Sequence, residues 1–101
     1  MLIILDSNYK IYAEATKTCK GWTGDPNFIS MSDAVSNIPN PGVNDKNEGC
    51  RLKCDNDVEC RFYFVITEVE HNRCVLFKSC DEMVPNSNPG IVFAKQVTGK
   101  L

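Results

Sequence analysis

Apolar and polar positions fall into short blocks along the chain, and the blocks predict a small set of elements. The clearest block is Arg61–Thr67, aromatic and β-branched throughout, which predicts a strand. Its apolar residues occupy both parities, Phe62, Phe64 and Ile66 on one and Tyr63 and Val65 on the other. Such a strand is expected at the centre of a sheet with both faces covered, by a helix on one side and by the N-terminal half on the other. Arg73–Lys78 predicts the returning strand, with Cys74 and Leu76 on one face and Val75 and Phe77 on the other, and Glu68–Asn72 joins the two as a hairpin connection. Asp81–Pro89 reads as a loop, after which Gly90 introduces a last strand over Ile91–Val97.

The N-terminal half is less regular. Two apolar stretches, Leu2–Leu5 and Tyr9–Ala13, flank the polar triplet Asp6-Ser7-Asn8, which predicts a terminal hairpin or extension over residues 1–18. From Lys17 to Asn47 the chain is rich in Gly, Pro, Asn, Ser and Asp and reads mostly as loop. Within it, Phe28, Ile29, Met31, Ala34 and Val35 supply either a short strand or one helical turn. Asp45 followed by Glu48 has the form of a capping box, so a helix is expected from near Lys46 to about Asp55. Cys50 and Cys54 share one face of that helix, while Arg51 and Lys53 fall away from it and are expected in solvent.

A chain of 101 residues has room for one domain. Eleven Lys and Arg against thirteen Asp and Glu give a net charge of -2, which argues against a nucleic-acid grip and against a polybasic membrane binder. No apolar run approaches the roughly 18 residues of a membrane span. Met1–Leu5 is cut short by Asp6, so a secreted form would have lost its signal or be a piece of a longer chain. Six cysteines, Cys19, Cys50, Cys54, Cys60, Cys74 and Cys80, read first as disulfides in an oxidising compartment. Zinc is the competing reading, but there is no C-x-x-C and His71 is the single histidine. Spacing alone leaves all pairings open. Ten asparagines include no glycosylation sequon.

The run Cys50-x3-Cys54-x5-Cys60, the aromatic strand Phe62-Tyr63-Phe64, then Cys74-Val75-Leu76 and the Gly90–Lys95 strand together resemble the PAN/apple domain family. The strongest match spans residues 48–95, with Cys19 near the family's first cysteine and residues 1–18 as an N-terminal addition to a single domain 1–101. The resemblance implies an α+β fold, an antiparallel sheet cradling one helix and stapled by disulfides. It implies the pairs Cys50–Cys74 and Cys54–Cys60, in keeping with helix cysteines that face the strands bearing Cys60 and Cys74. Apple domains pair their first cysteine with one beyond the final strand, and none lies beyond Cys80 here. With the other two pairs taken, parity leaves Cys19–Cys80.

No catalytic constellation stands out, so an enzyme is not expected. His71 reads as a solvated turn residue and not as a general base. Asp55, Asp57 and Glu59 lack the EF-hand ligand series and glycine, so they read as a solvated loop and no metal is expected. Gly21-Trp22-Thr23-Gly24 has no following Lys-Ser/Thr and is no phosphate loop, and no cofactor is implied. What the resemblance implies is a secreted or extracellular recognition module, one unit of a larger multidomain chain, that contacts a protein or a glycan without catalysis. Heparin-binding relatives use basic residues on and after the helix. Lys53 and Arg51 suit that role, but Asn56, Val58 and several acids follow. Sugar-binding relatives stack an aromatic ring on the pyranose, a role open to Trp22, whose structural alternative is loop packing. The second function class is a small secreted inhibitor or effector that blocks an enzyme or receptor.

Overall fold

The computed structural model describes residues 9–21, 24–68 and 70–96. The elements, in chain order, are β1 (Tyr9–Cys19), β2 (Phe28–Ser32), α1 (Val43–Asp55), β3 (Phe62–Ile66), β4 (Cys74–Phe77) and β5 (Met83–Lys95). The five strands form one sheet in the order β1-β5-β3-β4-β2, antiparallel at every contact. With α1 lying across β3 and β4, the fold is α+β, an antiparallel sheet cradling one helix. The doubly apolar β3 is indeed the middle strand.

Pleating sends alternate side chains of β3 to opposite faces. Tyr63 and Val65 turn to the helix and meet Cys50, Cys54, Leu76 and Ala34. The Tyr63 ring stacks on Phe93 at 4.9 Å between centroids and meets Tyr9 edge-on at 5.1 Å. Its hydroxyl donates to Asn47 Oδ1 of α1 at 2.5 Å, and the Tyr9 hydroxyl donates to Asp55 Oδ1 at 2.6 Å. Burial pushes both phenols above the usual tyrosine range, with the Asp55 carboxylate adding to the effect at Tyr9.

Three disulfides tie the elements, and they are the pairs expected above. Cys50–Cys74 fastens mid-helix to β4, Cys54–Cys60 closes the link from α1 to β3, and Cys19–Cys80 joins the end of β1 to the β4–β5 connection. Gly49 lets the loop after β2 run against the helix, since a Cβ there would fall 2.1 Å from the Ala34 carbonyl oxygen.

Two expectations need correction. The helix starts at Val43 and not near Lys46, with an extended Gly42 as N-cap and no side-chain cap. Asp45 therefore sits inside the first turn, where its charge suits the helix dipole. Asp81–Pro89 is not a loop throughout, because Met83–Pro85 already pairs with Cys19–Lys17 of β1. The ladder then jumps to Gly90 opposite Ala15, leaving 86–89 as a wide bulge, so the Pro- and Asn-rich composition marks an irregularity within a strand. Tyr9–Ala13 belongs to an eleven-residue strand paired with β5, and the first arm of the expected hairpin lies outside the described residues. Phe28–Ser32 takes the strand option.

Candidate functional site

The sheet face turned away from the helix carries two cross-strand rows. Register places Phe28, Phe77, Phe62 and Ala94 side by side across four strands, and Met31, Val75, Phe64, Val92 and Ala13 across five. At one end Tyr12 closes the face, its ring edge-on to Phe62 at 5.1 Å. Toward Ile66 and Arg73 the face dips into an open recess of about 250 Å³.

Three features make the dip. The tips of β1 and β5, held by Cys19–Cys80 and by the Lys20 amide on the Glu82 carbonyl, stand up as one wall carrying Thr18 and Cys19. The 86–89 bulge forms a second wall, with Asn86 and Asn88 lining it and the Asn86 amide donating to the Asn88 carbonyl. Gly90 sinks the floor beneath, because its missing side chain makes room for the Phe64 ring. A Cβ there would lie 2.5 Å from two of the ring's atoms. Phe64, Ile66, Val75 and Phe77 pave the bottom, and Met31 stands half-exposed, 47% open to solvent, at the mouth.

The polar groups of the recess are gathered at its rim. Arg73 has the parity of Val75 and Phe77, so its stem extends their row toward the mouth. Among the described residues its guanidinium makes no ion pair. His71 also reaches the rim, with Nε2 3.6 Å from Glu68 Oε1. Beneath this turn lies Lys46, without exposed surface, whose Nζ donates to the Glu68 carbonyl at 2.6 Å and the His71 carbonyl at 3.0 Å. Burial holds its ammonium below the ordinary lysine range, against a smaller opposite pull from Glu68. The turn is pinned further by Asn72, whose Oδ1 accepts from Ala34 N and Val35 N at 3.0 Å each and whose amide donates to the Val35 carbonyl.

Glu68, Glu70 and His71 offer ligand atoms within 4.8 Å of one another. The Lys46 ammonium under the same turn opposes a cation there. The acids of the α1–β3 link are each engaged elsewhere: Asp55 with Tyr9, Asp57 Oδ1 with the Glu59 amide at 2.9 Å, and Glu59 with Lys78 at 3.6 Å. Lys53 is exposed in the last turn of α1, on the helix side of the sheet and away from the recess. Trp22 lies outside the described residues, while its neighbour Gly21 lines the recess.

No family model, curated protein or solved structure matches this chain.

The sequence marks Phe28 and Met31 only as members of a short strand or helical turn, and gives no site role to them or to Arg73, Asn86 and Asn88. The signal that points to them is the double parity of β3: one helix can cover only one face of a sheet this small. Asn86 and Asn88 carry no such signal, because their place depends on the bulge.

Proposed function

We propose that this chain is a non-catalytic recognition module of PAN/apple type that works outside the cell and contacts a protein or glycan through the recess opposite the helix. The observation that carries the reading is a preformed concave surface on a scaffold braced by three disulfides, with an apolar floor and polar groups only at its edge. A binding face that is already shaped loses little entropy on engagement. Disulfides in a small domain suit an oxidising, extracellular setting, and no helix among the described residues is long and apolar enough to cross a membrane. Weak single-site binding would be raised by several copies in one chain.

The test uses the oxidised protein as bait on a glycan array and on extracellular extract, in parallel with Met31→Asp and Lys53→Gln. Met31→Asp puts a carboxylate at the mouth of the recess from an already exposed position, so the fold is retained while capture is lost. Lys53→Gln leaves capture intact. Capture that survives Met31→Asp and fails with Lys53→Gln moves the site to the helix face and overturns the reading.

A further inference from the structure

Resting on the recess as the binding surface, we infer that its occupant is a segment of a partner protein in which a bulky apolar side chain sits beside a carboxylate. Size, floor and rim each bear on this. A dry apolar cavity of about 150 Å³ accepts a benzene ring, so an open recess of about 250 Å³ accepts one phenyl or branched aliphatic group and the stem that carries it. Phe28, Phe64, Ile66, Val75 and Phe77 supply no hydrogen-bonding side chain to this floor. A sugar ring seated there would bury hydroxyls without partners, at a cost for each that exceeds what stacking returns.

The rim selects the charge. Arg73 lines the mouth with no ion pair among the described residues, whereas the acids of the neighbouring turn, Glu68 and Glu70, do not line the recess, and the Glu68 carboxylate lies 3.6 Å from His71 Nε2. A guanidinium presents a planar fork of donors suited to a carboxylate. The recess thus pairs an apolar seat with an anion clamp at one edge, which is the pattern of an Asp, a Glu or a chain terminus next to a Phe or Leu.

N-acetyl-L-phenylalanine and its neutral primary amide serve as probes, with methyl β-galactoside as the sugar arm, titrated into the oxidised, isotope-labelled protein and followed by amide NMR shifts. The acid is expected to move the signals of Phe64, Ile66, Val75 and Asn88 and to bind about two- to five-fold more tightly than the amide, the size of one solvent-exposed ion pair. Arg73→Gln equalises the two probes, Arg73→Lys restores part of the difference, and Met31→Asp weakens both. Equal binding of acid and amide to the parent overturns the inference, as does a recess that responds to the galactoside and ignores both phenyl probes. If neither phenyl probe binds while capture still depends on Met31, the ligand class is wrong and recognition at the recess stands. If capture is also indifferent to Met31→Asp, the recess itself is not the site.

Discussion

Toward the helix, β3 presents Tyr63 and Val65; away from it, the same strand presents Phe64 and Ile66 to a recess. Both faces are apolar and the four side chains are all buried. The helix side is closed by α1, fastened through Cys50–Cys74 and Cys54–Cys60, and its polar atoms are matched: Tyr63 to Asn47, Tyr9 to Asp55. Among the described residues the far side has no second helix. It is roofed by strand tips, a bulge and one disulfide, and the roof leaves a gap over Phe64, Ile66 and Val75. The difference is one of cover in one small sheet: the first face is closed over its apolar side chains, and the second leaves part of its apolar surface open as a recess.

The largest test of that division compares two adjacent aromatics. Tyr63→Ala removes a ring packed on two others and strands Asn47, and is expected to cost about 4 kcal/mol in chemical denaturation of the oxidised protein. Phe64→Ala is expected to cost about 3 kcal/mol, since its ring is only 3% exposed although it floors the recess. A loss below roughly 1 kcal/mol for Phe64→Ala would mean that this face adds little to folding. The gap between the two variants measures how unequal the faces are.

The middle test concerns how the recess is sunk. Gly90→Ala places a methyl 2.5 Å from the Phe64 ring and 2.6 Å from the Val65 carbonyl oxygen, and the position is buried. Overpacking of this kind is expected to cost about 1–3 kcal/mol and to lift Phe64 into the recess. Adding Phe64→Leu should recover part of the loss and not all of it, because the Val65 contact is backbone. Full stability of Gly90→Ala alone, in a thermal or denaturant melt, would show that the floor is more yielding than its packing indicates.

Why one face was legible in the sequence and the other was not follows from the range of the interactions. Runs of aromatic, β-branched and other apolar residues place Phe62–Ile66 and Cys74–Phe77 correctly, because strand propensity and pleating are local. The spacing of Cys50 and Cys54 puts both on one helical face for the same reason. The recess depends on long-range register. Met31 meets Val75 across 44 positions, and the walls come from a β1–β5 ladder interrupted where Ala15 pairs with Gly90 and Lys17 with Pro85. Nothing local announces that Pro85 and Pro89 flank a bulge inside a strand. The helix start has a related cause: the Asp45–Glu48 pair has the form of a cap, while the helix begins at Val43 and carries Lys46 within its first turn. From there its side chain reaches the Glu68 and His71 carbonyls.

The smallest test bears on that lysine, which steadies the turn at the margin between the two faces. Lys46→Met keeps the length and apolar bulk of the stem and removes two hydrogen bonds. The Glu68 carbonyl still accepts from the His71 amide at 3.1 Å, while the His71 carbonyl loses its lysine partner. Release of a buried ammonium offsets part of that loss, so the net cost at neutral pH is expected near 1 kcal/mol. The pH dependence carries the sign. Burial lowers the folded pKa below the ordinary 10.5, so between that lowered value and 10.5 the unfolded chain binds more protons than the folded one. Stability contributed by this group therefore rises with pH through that window and levels above it. Tyr9 and Tyr63 act in the opposite direction above their usual range, since their folded pKa values are raised, but they are common to parent and variant and cancel in the difference. The parent's advantage over Lys46→Met, followed by denaturation from about pH 7 to about pH 10, should accordingly widen as pH rises. A difference that stays flat would show that the ammonium titrates alike in the folded and unfolded chain. Lys46 would then hold the turn without any penalty from burial.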